Sequence, residues 1–255
     1  MTTLFDMTLR IASKTKYVLH RIATGGSTTS LEDSTFQGIG DYAGGTIFIL
    51  SGDYAGTSRE VLSAERNKLV WATALTGNIV VGVRYAIVDK TYPRDMVMTA
   101  VNQGLQRLPW PLEEDITLEQ DATVNYYDLP AGVSKVIRVD EARMLAAPYA
   151  WRENHYWREE AGQIRFTWTN APSYTSYLLR VIYESPPVEL YQDEDVIPNI
   201  DIETLFWISI IELLGPALDQ RPEDKKLQSL FQEAQIEWQR IAPGPNRRND
   251  ILADY

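Results

Sequence analysis

The chain has 255 residues, 44% hydrophobic and 23% charged, with a net charge of −11 and no cysteine. That length suits one or two domains with a sizeable core. The acidic balance argues against a general nucleic-acid grip, which needs a basic stripe; without cysteine, disulfides, thiolate metal ligands and thiol catalysis are excluded. No apolar run reaches the ~18–20 residues of a membrane span. The opening MTTLFDMTLR lacks the basic-then-apolar pattern of a signal peptide, so neither element is expected.

The apolar spacing Met7, Ile11, Val18, Ile22 predicts a first helix over Leu4 to Ile22, ended by Gly25-Gly26-Ser27. Ser27 to Tyr42 reads as polar loop. From Gly44 to Asp89 the period changes. Short β-branched runs (Thr46 to Leu50, Arg59 to Leu62, Lys68 to Trp71, Ile79 to Val88) alternate with Gly, Asn and Asp. This predicts a small barrel or sandwich of four or five strands over 44–89, inserted between helices. The repeated Gly-Asp-Tyr-Ala-Gly, at Gly40 to Gly44 and Gly52 to Gly56, reads as two β-turns flanking one strand.

Pro93 to Arg107 places Met96, Val97, Ala100, Val101 and Leu105 on one helical stripe, with Pro109 and Pro111 as stops. Beyond it, 112–190 predicts an antiparallel β region, most clearly at Ile164, Phe166 and Trp168, which alternate with polar residues. Asp201 to Leu214 is a helix with apolar residues on nearly every face: Leu205, Phe206, Trp207, Ile210 and Ile211 among them. Such a helix is buried from several sides or covered by another subunit. Gly215-Pro216 is expected to break it, and Pro222 to start a last helix running to Ile241. The expected class is α+β. About four helices, from 1–26, 91–110 and 200–241, form a bundle. The β modules span 44–89 and 112–192, and 242–255 forms an extended tail.

Catalytic signatures are weak. His20 and His155 lie far apart, without HExxH spacing or a Gly-x-Ser-x-Gly elbow. No Walker A loop occurs. The acidic runs Glu113-Glu114-Asp115 and Asp193-Glu194-Asp195 read as solvated loop charge. The aromatic run Tyr149, Trp151, His155, Tyr156, Trp157 suits a core, a subunit interface or stacking on sugar rings. Three function classes remain open. They are a structural assembly protein, a carbohydrate-binding or baseplate-type module using 149–168, and a hydrolase with a cryptic acidic pair.

The order of elements adds a resemblance. A helix ends near RIATGGS. A β module of the type GGTIFIL, SREVLS, NKLVWA, GVRYAI follows. Then come RDMVMTAVNQGLQRLPW, ATVNYYDLPAGVSKVIRVDEAR, a further β region and DIETLFWISIIELL. This layout resembles the head–tail connector (adaptor or neck) proteins of tailed bacteriophages. The resemblance implies a non-enzymatic virion protein without cofactor or metal, sited in the neck between capsid and tail and built in the host cytoplasm. It implies a helical bundle with β extensions, assembled as a homo-oligomeric ring, commonly dodecameric, beneath the portal protein. The ring extends a channel through which DNA passes without specific binding, and it presents a docking surface to the next tail protein. By the same likeness the C-terminal segment contacts the portal, through Pro243, Arg247, Arg248, Ile251, Leu252 and Tyr255. Leu205, Phe206, Trp207, Ile210 and Ile211 are expected to pack against neighbouring subunits, since a ring subunit must bury apolar surface on two sides.

Overall fold

The computed structural model describes residues 1–15, 18–37, 42–108, 112–120, 124–130, 132–143, 150–167, 177–198 and 200–241. Among them the protein is mixed α+β, with four helices and four antiparallel sheets, none closed into a barrel. It divides into two compact units, Met1–Leu108 with Glu189–Tyr255, and Pro109–Val188. The expected portal-contact residues Pro243 to Tyr255 lie outside the described residues, as do Tyr149 and Trp168.

In the first unit α1 spans Leu4–Thr15. Thr3 and Asp6 cap it reciprocally: Asp6 N–H donates to the Thr3 hydroxyl, and Thr3 N–H to the Asp6 carboxylate. Here the structure corrects the sequence reading. Residues Leu19–Ile22 are not the end of this helix but a strand, β1. Its inward positions include Leu19 and Arg21. Arg21 reaches over the Phe36 ring and donates to the Thr35 hydroxyl and carbonyl, both at 3.0 Å. An arginine at an inward position disguises the two-residue period. The expected loop that follows carries β2 (Gly25–Gly26) and β3 (Ser30–Glu32).

Next come β4 (Thr46–Ile49), β5 (Thr57–Glu60), β6 (Ser63–Glu65), β7 (Lys68–Val70) and β8 (Arg84–Val88). They form two four-stranded antiparallel sheets, ordered β1-β8-β4-β5 and β2-β3-β7-β6. The sandwich alternative is therefore the observed one, with eight strands and a start well before residue 44. Every residue of β4 is buried because both faces are used. Ile47, Ile49, Tyr85 and Ile87 meet Leu31, Leu69 and Trp71 between the sheets. Phe48, Ala86 and Val88 meet Phe5 and Ala12 of α1 on the other side. Gly52 and Gly56, at φ +82° and +86°, turn the chain after β4 as the repeated motif predicts.

The helical layer adds α2 (Arg94–Arg107), α3 (Ile202–Gln220) and α4 (Lys225–Ile241). α3 is the hub, touching each of the other three helices. It does not break at Gly215-Pro216; it continues for another turn. Packing of Leu213, Leu214 and Ala217 in the helical core holds that turn, against the roughly 3 kcal/mol that an interior proline costs. α4 starts three residues later than Pro222 predicts. Its cap is Asp224, whose carboxylate accepts from the N–H groups of Lys226 and Leu227.

The second unit carries β9 (Leu112–Gln120), β10 (Tyr126–Asp128), β11 (Lys135–Arg143), β12 (Arg152–Glu153), β13 (Trp157–Glu160), β14 (Gln163–Phe166) and β15 (Tyr177–Glu184). They form antiparallel sheets ordered β12-β11-β15-β9 and β10-β14-β13. Val139, Leu179 and Val181 from the first sheet and Ile164 and Phe166 from the second share one core.

Candidate functional site

Among the described residues, a densely bonded polar cluster lies in the first unit, on the stretch 189–198. Asn102 of α2 grips it first. Its side-chain amide donates to the Leu190 carbonyl and accepts from the Leu190 N–H, both at 2.9 Å, as a strand neighbour would. Three residues on, Asp193 is buried. One carboxylate oxygen accepts from the Ser58 N–H of β5 at 2.6 Å; the other accepts from the Ser58 hydroxyl at 2.7 Å. Arg94, at the start of α2, donates to that second oxygen through Nε and Nη2, at 3.2 and 3.1 Å. Its Nη2 also reaches the Tyr191 carbonyl. The backbone carbonyls of Asp193 and Asp195 accept from Phe5 and Leu4, two of the free N–H groups opening α1. Asp195 in turn accepts from the N–H groups of Gln192 and Tyr191, which hold its carboxyl below the usual range.

The acidic run Asp193-Glu194-Asp195 is thus corrected. Only Glu194 is solvated loop charge, while Asp193 ties α1, α2 and β5 together. Beside the cluster lies an open cleft of about 600 Å³, lined by Arg59, Glu60, Thr73 and Gln192 as well as the cluster itself. Asp193 is saturated with donors and Arg94 is paired. A network satisfied in this way rigidifies the segment it crosses. Among the described residues no three His, Asp or Glu side chains gather where a metal ion could sit, and no helix is long and apolar enough to cross a membrane.

Glu113-Glu114-Asp115 lies on β9 and not on a loop. There the Tyr183 hydroxyl is pushed up by burial and by its hydrogen bond to Glu113, while Glu114 faces Arg180 at 3.9 Å. His155 is exposed beside Glu153 at 3.4 Å.

The described members of the aromatic run have different surroundings. Trp157 packs against the core of the second unit. Trp151 lies under the Arg180 guanidinium at 4.8 Å. Tyr156 is 67% exposed. Arg180 also grips the buried Asp140 across the sheet at 2.6 Å, with Arg138 on the same carboxylate.

The five α3 residues expected at a subunit interface divide. Leu205, Phe206 and Ile210 are buried by the chain's own helices. Trp207 and Ile211 are only partly covered. Much of the apolar excess is therefore used internally, because α3 is surrounded by α1, α2 and α4. Gly104 explains how α2 comes so close. A Cβ placed there would lie 2.9 Å from Ser209 Oγ and 3.0 Å from Ile208 Cγ2.

Arg94, Asn102, Ser58 and Asp193 escape sequence reasoning. Ser58 and Asp193 are separated by 135 positions; no local pattern marks Ser58, and the acidic run marks Asp193 only as surface charge. In comparison with known proteins, no family model matches the chain and no curated protein matches it in sequence.

Proposed function

We propose that the protein is a structural component of a tailed-phage virion, a head–tail adaptor that assembles as a ring under the portal. In this reading α1 to α4 form the bundle, and the two β modules are insertions in its sequence. The ring continues the DNA channel and offers a docking surface to the next tail protein. The observation that carries the proposal is what the AVNQGLQRL segment does. Ala100, Val101 and Leu105 fill the helical core, Gly104 admits α3, and Asn102 grips the Leu190 backbone. The residues that carry the resemblance to connector proteins serve the scaffold, as expected where the layout and not a catalytic centre is the functional product.

The acidic balance fits as well. A channel wall of like charge lets DNA slide without adhering. In APGPNRRNDILADY, two arginines and the apolar Ile251, Leu252 and Tyr255 suit a segment that orders on a portal partner. Deletion of 243–255 tests this directly. The truncated subunit should fold with the parent's circular dichroism yet fail to join heads to tails. Infectious particles formed at the parental yield by the truncated protein would overturn the portal assignment.

A further inference from the structure

The two outer strands of the sheet β1-β8-β4-β5 are finished differently. On β5 the outward Ser58 N–H donates to the Asp193 carboxylate at 2.6 Å, and the Ser58 carbonyl accepts from Arg59 Nη1 at 2.7 Å. The chain's own side chains thus close that edge. β1 has no such closure among the described residues. Across from it, Arg84 turns both backbone groups away: its carbonyl accepts from the Leu50 N–H, and its N–H donates to Ser51 Oγ. Ile22, the register partner of Arg84, therefore points its own N–H and C=O outward. Ala23 instead bonds inward through both groups, to Val83 and Gly82. The two-residue alternation then turns the N–H and C=O of His20 outward as well.

An open edge invites pairing, and chains blunt such edges with proline, lysine or an inward charge. β1 carries the last of these, Arg21, but its charge is already answered by Thr35 and Asp33. An added strand would not leave it unpaired. Apolar surface flanks the edge. Ile22 is 59% exposed, and Val80 and Val81 are 59% and 76% exposed. Both valines stand on a turn that Gly82, at φ +91°, ties to the Ala23 carbonyl. Cross-strand partners share a face of the sheet, so Ile22 lies beside Arg84. Arg84 is exposed and has no carboxylate partner among the described residues.

We infer that the open edge of β1 is a docking site for an extended segment of a partner protein, which carries an apolar residue for Ile22 and a carboxylate for Arg84. The four free backbone groups of His20 and Ile22 require an extended backbone as their complement, the arrangement of strand addition. The unanswered guanidinium requires an anion beside it. Two β1 edges paired with one another would bring Arg84 against Arg84, and like charges in contact are costly, so the occupant is a different segment. This deepens the adaptor reading, because it names a surface that would hold the next tail protein. It rests on that reading for the partner's identity and not for the edge itself.

The test uses the full chain, isotope-labelled for nuclear magnetic resonance, and a capped synthetic peptide of sequence Thr-Thr-Val-Thr-Asp-Thr-Thr. Its valine and aspartate share one face when extended. At millimolar peptide the amide signals of His20 and Ile22 and the methyl signals of Val80 and Val81 should shift saturably, while Ser58 stays unmoved. A peptide with lysine in place of aspartate should bind about two- to fivefold more weakly. Arg84→Glu should reverse that preference while melting within a few degrees of the parent. A peptide N-methylated at its bonding amides should not bind. Absent shifts at His20 and Ile22 overturn the inference, as does equal binding of all three peptides. Amides of His20 and Ile22 already shielded from solvent exchange in the free chain overturn the partner assignment. Relief of that shielding on dilution identifies a second copy, and relief on deletion of 243–255 identifies the chain's own terminus. If the edge fails while that deletion still blocks head–tail joining, the adaptor reading survives with another docking surface. If the peptide binds as expected but heads and tails join without this protein, the adaptor reading fails and the β1 site stands.

Discussion

Gly104 offers a stringent check on the helical packing. Alanine there should stabilise an unconstrained helix by about 1 kcal/mol through backbone entropy. In this structure the new methyl would sit 2.9 Å from Ser209 Oγ, 3.0 Å from Ile208 Cγ2 and 3.3 Å from Leu205 Cδ1. Ser209 cannot turn aside freely, because its hydroxyl donates to the Leu205 carbonyl at 2.7 Å; losing that bond costs about 1 kcal/mol. Separating α2 from α3 instead carries an overpacking cost of about 1–3 kcal/mol. The propensity gain is therefore cancelled or exceeded, and Gly104→Ala should destabilise by up to about 2 kcal/mol. Gly104→Val, with two further carbons, should cost at least about 3 kcal/mol. Adding Ser209→Ala to Gly104→Ala removes the closest contact and should recover about 1 kcal/mol as a coupling energy. Urea titrations followed by circular dichroism read the parent, Gly104→Ala, Gly104→Val, Ser209→Ala and the double variant. If Gly104→Ala gains the full propensity increment and Gly104→Val is neutral, the close crossing is refuted.

Other expectations follow from the clusters described. Asp193→Ala leaves Arg94 and the Ser58 donors without their shared acceptor and should cost about 3–5 kcal/mol, a fall in Tm on the order of 10 °C by differential scanning calorimetry; a shift under two degrees would contradict its role. Burial alone would raise the Asp33 carboxyl, but donors from Thr35 and Tyr85 outweigh it and hold the carboxyl below the usual range. Its stability contribution is thus complete above the unfolded value near ~4 and is lost as pH falls through the lowered folded value. Asp33→Asn should therefore flatten the acid limb of a Tm-against-pH curve, and an unchanged limb would count against it. Trp207→Asp should cost at least about 3 kcal/mol through lost packing, whereas Glu113→Gln, on an exposed strand position, should cost under about 1 kcal/mol; equal losses in thermal melts would contradict α3 as the packing hub.

How far the sequence anticipates the fold depends on how local each determinant is. α2 and the body of α3 announce themselves by apolar spacing, and β14 by strict alternation at Ile164 and Phe166. β1 is hidden because Arg21 occupies an inward position, its charge answered by Asp33 at 3.7 Å. The extension of α3 is hidden because Gly215-Pro216 is a local stop signal overridden by Leu213, Leu214 and Ala217 in the core. The apolar excess of α3 does signal burial from several sides, yet sequence cannot say whose side chains do the burying. Asp193 looks like surface charge because its partners, Ser58 and Arg94, are brought to it only by the tertiary fold.

The central claim is that other copies and a portal complete this subunit, and no substrate does. Electron-microscope imaging of the full-length protein mixed with portal addresses it most directly. The account predicts closed rings of many copies, coaxial with the portal and continuing its channel. Isolated monomers beside bare portals, at concentrations where both proteins are folded, would contradict it.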